Sequence, residues 1–166
     1  KGTLVLDEIA FFGAEEIVFK SNQDNLIGFP KKVVDEARRS QLLAIKDNKE
    51  FLREVGRDTW RYFETLIDRK TKLVVDHVRV GSTVGIGSYV NPTNVALYWL
   101  ASVAAYDLSL ISKEQAIENI RASLETFENL NRWPPGFWYN YYHTHNLRVT
   151  RKYVSVVDNG WLAAGL

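Results

Sequence analysis

The fold turns on residues 91–108, NPTNVALYWLASVAAYDL. Asn91 carries a side-chain oxygen able to accept from a free first-turn amide, and Pro92 lacks the amide proton that would go unsatisfied at the first helical position. A helix is therefore expected over residues 92 to about 108. Its apolar residues run almost all the way round, and a helix of that kind is buried on several sides. Residues 112–130 read differently. Ser112 and Gln115 have the spacing of a capping box. Ile117, Ile120, Leu124 and Phe127 form one stripe, with Lys, Glu and Arg on the other side. A buried helix thus leads through a short turn into an amphipathic one.

Working outward, Asp47 or Asn48 can cap an earlier helix running to about residue 68, with Leu52, Val55, Phe63 and Leu66 on one face and Trp60 nearby. Residues 71–90, TKLVVDHVRVGSTVGIGSYV, are β-branched and glycine-rich without a helical period, which predicts a long loop or an irregular strand pair. The GIGS run at 85–88 is a poor phosphate cradle, because the next helix begins only at Pro92. Downstream, residues 133–144, WPPGFWYNYYHT, hold seven aromatic side chains in twelve positions if His143 is counted, follow no clean period, and read as a loop. A short extended run is expected at 153–157, then a last helix from near Asp158. Residues 1–47 read as an N-terminal packing segment, with apolar residues at 3–12, a turn-rich connector at 21–30 and helical spacing through Val34, Ala37 and Leu42. The last helix is apolar and reaches Leu166 without a polar cap, so the domain over 48–166 is expected to be truncated at its C-terminal end.

The chain has 166 residues, enough for one domain with a real core. Its formal net charge is +1 with both signs interspersed, which gives no electrostatic footprint for nucleic acid. No apolar run approaches transmembrane length, so no membrane insertion is expected. The absence of cysteine excludes disulfides, thiolate metal sites and a cysteine nucleophile, and it fits a periplasmic or extracellular protein. Walker, dinucleotide-binding, zinc-protease and nucleophile-elbow motifs are all missing, so no cofactor is expected. His143 and His145, two apart and without a carboxylate neighbour in sequence, make a poor metal site and read as solvated loop residues.

Alternating buried and amphipathic helices suggest an all-α protein of stacked hairpins, with an inner ring of apolar helices sheathed by an outer ring. The inner helices are entered by long, aromatic, Asp-bearing loops, and the return turn near 109–112 is tight. Long loops then gather on one face, where ligand sites tend to be built. The aromatic loop either plugs the hairpin stack or offers rings and amides to a ligand, Trp138, Tyr139, Tyr141 and Tyr142 being the candidates for contact. Asp158 is a candidate helix cap, Asp76 suits a turn or a catalytic role, and Asn94 braces the inner helix.

Several segments taken together resemble the glucoamylase-like α/α-toroid region of cyclic β-1,2-glucan synthases and related β-1,2-glucanases. They are YVNPTNVALYWLASVAAYDLSLIS (89–112), ENLNRWPPGFWYNYYHTHNLRV (128–149) and KYVSVVDNGWLAAGL (152–166), preceded by TWRYFETLIDRKTKLVVDHV (59–78). The resemblance implies part of an (α/α)6 toroid and a carbohydrate-active protein, in particular an inverting glycoside hydrolase acting on a β-glucan or another bacterial surface glycan. A non-catalytic glycan-binding or protein-interaction module is the alternative. It implies an oligo- or polysaccharide partner, Asp76 as the catalytic carboxylate, and Trp138, Tyr139, Asn140, Tyr142, Asp158 and Asn94 as substrate-binding residues. In related glucanases the general acid is a Glu further along the chain. His143 stands where the family loop usually carries an acid, and Pro134-Pro135 is foreign to it. A full ring needs well over twice this length, so self-association of two copies is a second way to close it.

Overall fold

A computed structural model describes residues 35–79 and 85–166. The segments read at 3–12 and 21–30 lie outside these residues. Helix α1 spans Glu36–Ala44 and α2 spans Asn48–Leu66, and each begins at an aspartate. Asp35 accepts from the Arg38 amide and Asp47 from the Glu50 amide, both at 2.8 Å, satisfying amides that have no partner inside the helix. Arg38 clamps the two helices together, donating through Nε to Asp58 (2.8 Å) and through Nη2 to Glu54 (2.9 Å). The bond to Asp58 comes first in raising the Arg38 pKa, and the bond from Arg38 comes first in lowering that of Glu54.

Helix α3 (Pro92–Asp107) starts as the sequence requires. Asn91 Oδ1 accepts from the Asn94 amide at 2.8 Å, and Asn94 Oδ1 in turn accepts from the Asn91 amide at 3.0 Å. Helix α4 (Lys113–Glu128) departs from expectation at its cap. The Gln115 amide does donate to Ser112 Oγ, but the Gln115 side chain turns along the helix to Asn119 instead of back to Ser112, so only half of the box forms. The buried face of α4 is also shifted, to Ala116, Ser123 and Phe127, and Ile117 is exposed. Serine is buried there for a reason: its hydroxyl accepts from the Trp99 indole at 2.8 Å, locking α3 to α4. On α2, Trp60 and Leu66 are buried while Leu52 is exposed.

The core gathers α2, α3 and α4 around Trp60, Tyr98, Trp99, Phe127 and Tyr142. Helix α5 (Val156–Gly165) packs on α3 so closely that a Cβ on Gly165 would come within 2.8 Å of the Ala96 Cβ. Leu97, Leu100 and Val103 of α3, with Val156, Val157 and Trp161 of α5, remain exposed.

The long connections are not structureless. Strands β1 (Val78–Arg79) and β2 (Gly85–Ile86) pair antiparallel, realising the strand-pair reading of this segment. A second antiparallel sheet runs in the order β3 (Tyr89–Val90), β4 (Tyr141–His143), β5 (Val149–Arg151). The extended run expected at 153–157 therefore lies earlier, and Val156 and Val157 are already helical. These small sheets qualify the all-α reading without displacing it. A staple holds the loops beneath them: Thr71 Oγ1 donates to the Thr144 carbonyl (2.6 Å), the Thr144 amide to the Ser88 carbonyl (3.0 Å), and His145 Nδ1 lies 3.0 Å from Asp68 Oδ2. His145 is thus partnered by a buried carboxylate from the far side of the sequence, contrary to its reading as a solvated loop residue.

Candidate functional site

Helices α3 and α5 begin at the same end of the molecule, where Thr93 Oγ1 donates to Asp158 Oδ1 at 2.6 Å. Asp158 is not the cap of α5. Ser155 takes that position, its hydroxyl accepting from the Asp158 amide at 3.2 Å. The Asp158 carboxylate therefore stands in the first turn, where the helix dipole favours a negative charge. Capping does not account for this aspartate.

Asp76 reaches the same region from the connection between α2 and β1. Its amide donates to the Tyr89 carbonyl at 2.8 Å, which pins the segment alongside β3. Its Oδ1 accepts from Asn91 Nδ2 at 3.3 Å, and its Oδ2 lies 2.8 Å from His77 Nδ1. Asn91 thus serves two structures with one side chain, capping α3 through its oxygen and orienting Asp76 through its nitrogen. The His77 ring occupies the space a side chain at residue 87 would need, since a Cβ on Gly87 would meet His77 Cε1 at 2.8 Å. That close approach explains a glycine of the GIGS run without any phosphate.

Tyr141 joins this region through its ring, which meets that of Tyr89 edge-on at 5.2 Å. Its hydroxyl pKa is raised, first by burial and then by Tyr153, Asp76, Tyr89 and Asp158. Tyr62, whose hydroxyl donates to the Val75 carbonyl at 2.9 Å, is likewise held above its ordinary value by burial and then by Asp76.

The other residues singled out in the sequence divide sharply. Tyr142 is fully buried, and its hydroxyl donates to the Asn131 carbonyl (2.6 Å) and accepts from the Tyr139 amide (2.8 Å), so it is a core residue rather than a ligand contact. Trp138 is likewise engaged by the protein. Phe127 stacks on its ring at 5.1 Å, Arg132 lies over it at 4.0 Å from the centroid, and its indole donates to the Phe127 carbonyl. Little ring face is left for a sugar. Asn94 closes the capping box of α3. Tyr139 is partly buried against the core. Asn140 is buried, and its Nδ2 donates to the Tyr153 hydroxyl at 2.8 Å. Trp133 and Phe137 stand half-exposed on a tight turn in which the Gly136 amide donates to the Trp133 carbonyl, with Gly136 at φ +107°. That positive φ favours glycine.

Tyr89 and Tyr153 belong to the cluster but were not picked out from the sequence. The signal was present in the alternation around β4: Asn140, Tyr142 and Thr144 are buried, while Tyr141 and His143 are only partly so. Among the described residues no group of three or more His, Cys, Asp or Glu side chains could hold a metal ion, and no helix is long and apolar enough to cross a membrane.

No protein-family model matches the chain. It is 29% identical over 128 residues, 76% of its length, to the cyclic β-(1,2)-glucan synthase NdvB of Rhizobium meliloti strain 1021, and it spans about 4% of that protein. It also superposes, with a TM-score of 0.61 and 17% identity over 74% of its length, on the crystal structure of a Bacteroides fragilis protein assigned as a glucoamylase, spanning 31% of that chain. The sequence likeness and the shared architecture agree with the segments quoted above, and the chain has the helical-hairpin fold of part of an α/α toroid, similar to that of the glucoamylase-like structure.

Proposed function

We propose that this region is carbohydrate-active and takes part in hydrolysis of a β-glucan, with Asp76 as the base that activates water. The observation that carries the reading is that Asp76, bonded by the Asn91 cap of α3, and Asp158, bonded by Thr93 in the first turn of α3, are both held at the start of the same helix, at the end where the long loops collect. Glycoside hydrolysis calls for a carboxyl group that protonates the departing oxygen and a carboxylate that activates water. His77 and Asn91 fix the direction of the Asp76 carboxylate, so geometry rather than diffusion presents it to the reacting carbon. Asp158, steadied by Thr93, suits a hydroxyl of the bound sugar. The likeness to a β-(1,2)-glucan synthase supports β-1,2-glucan as the first substrate to try.

The experiment is turnover of linear β-1,2-glucan by the full-length protein carrying Asp76→Asn. Loss of a general base predicts a fall in rate of about 10²–10⁴-fold with binding retained. Unchanged turnover would remove Asp76 from the chemistry. A second reading, glycan binding without turnover, draws support from the bonds that already occupy both oxygens of Asp76. It wins if the wild-type protein binds the glucan and never cleaves it.

A further inference from the structure

The sheet carries a row of rings that chemistry at Asp76 does not require. His77, Tyr89, Tyr141 and Tyr153 follow one another at centroid distances of 5.7, 5.2 and 6.3 Å, each meeting the next edge-on at 73°, 86° and 65°. Strand alternation puts them together. Val90 and Tyr142, paired across β3 and β4, are buried on one face of the sheet, and Tyr89 and Tyr141 share the other. Arg151 is the cross-strand partner of Tyr141 and so lies on the same face as that ring.

The outermost ring, Tyr153, is 46% exposed yet firmly held. Its carbonyl accepts from the Asn140 amide and its hydroxyl from Asn140 Nδ2, both at 2.8 Å. Asn140 is itself only 2% exposed, and its Oδ1 is buried without a hydrogen-bond partner. Leaving a buried acceptor unmet costs stability, and folding alone gives no return for fixing an exposed ring that way. A ring held still before a ligand arrives does give one, because less freedom is lost on binding.

Resting on the reading of the site as glucan-binding, we propose that this row is the path of the glucan chain leading away from Asp76, with Tyr153 supporting its outermost sugar unit. Each tyrosine offers a flat face to the CH side of a sugar ring and a hydroxyl to its polar edge. Arg151 adds N–H donors for sugar hydroxyls, so the row suits a polar chain better than an apolar peptide. The consequence is specificity for length: the protein recognises several consecutive sugar units rather than a chain end alone.

The test is calorimetric titration of the full-length protein with linear β-1,2-gluco-oligosaccharides, from the disaccharide to long oligomers. Wild-type affinity is expected to climb with length. Tyr153→Ala is expected to flatten the climb, with about a tenfold loss for the longest chains, equivalent to about 1.4 kcal/mol, and no change for the shortest. Tyr153→Phe, which keeps the ring, is expected to keep the climb, and circular dichroism checks that both variants are folded. A wild-type affinity independent of length, or an equal loss at every length in Tyr153→Ala, overturns the track while leaving the glucan site standing. A wild-type protein that binds none of the sugars overturns both.

Discussion

Asn91 offers a way to separate the fold from the site, because its oxygen and nitrogen do different work. The oxygen caps α3, and the nitrogen reaches Asp76 at 3.3 Å. Asn91→Ala removes both and is expected to cost about 1 kcal/mol for the lost cap, or roughly 2–4 °C in Tm for a chain of this size. Asn91→Ser keeps a capping oxygen and is expected to stay within about 0.5 kcal/mol of wild type. Asn91→Asp also keeps the cap but sets a second carboxylate against Asp76, whose side chain is only 22% exposed. At neutral pH the repulsion is expected to cost on the order of 1–2 kcal/mol, discounted for that partial exposure. The sign with pH follows directly. The crowded pair takes up a proton in the folded state more readily than in the unfolded chain, so the lost stability returns as the solution is acidified towards pH ~4. Urea denaturation of the four proteins at neutral and acidic pH measures this. If Asn91→Asp tracks Asn91→Ser at both, Asn91 does not face Asp76 and the site as described is wrong. If Asn91→Ala matches Asn91→Ser, the cap contributes nothing.

Two further outcomes can be checked. Tyr98 and Tyr142 have their pKa values pushed up to about 12, burial being the leading cause, whereas in the unfolded chain tyrosine ionises near pH ~10. The unfolded state releases these protons first, so stability is expected to hold up to pH ~10 and then fall towards pH ~12. Tyr142→Phe should cost about 1–3 kcal/mol at neutral pH by stranding the Asn131 carbonyl and Tyr139 amide, and should soften the alkaline fall; an unchanged alkaline profile would contradict it. Gly87→Ala places a methyl against the His77 ring, which swings away more easily than backbone. Stability is expected to change by less than about 1 kcal/mol while the His77 imidazole NMR signals shift, and unmoved signals would refute the contact.

The helices were legible because each announces itself locally. Asp47, Asn91 and Ser112 sit where amides need acceptors, and the contrast between α3 and α4 in apolar coverage separated the buried helix from the amphipathic one. The start of α5 was misjudged because Asp158 is as good a cap as Ser155 on residue type alone. What decided it was Thr93, 65 positions away, which bonds the aspartate's side chain. Strand β4 was missed for a different reason. The buried residues that flank it are Asn140 and Thr144 and its own outward ones include Tyr141, so polarity runs against the usual pattern of apolar inside and polar outside. The candidate site inherited that error: Asp76 and Asp158 were visible as isolated acids, and Tyr89 and Tyr153 were not visible at all. Trp138 and Tyr142 attracted notice as aromatics, but nothing in their neighbours along the chain reveals Phe127, Arg132 or the Asn131 carbonyl.

The staple of Thr71, Ser88, Thr144, Asp68 and His145 has a consequence for the order in which the molecule is assembled. Helices α3 and α4 meet across a turn of a few residues, so their contact closes a short loop. The bond from Thr71 to Thr144 spans 73 positions and that between Asp68 and His145 spans 77. Closing so long a loop loses chain entropy before any contact offsets it. The hairpin of α3 and α4 can therefore form early and alone, whereas the end bearing Asp76 takes shape only when two distant stretches arrive together. Damage to the staple would leave a helical protein in which the stretches that carry Asp76 and Tyr141 no longer meet.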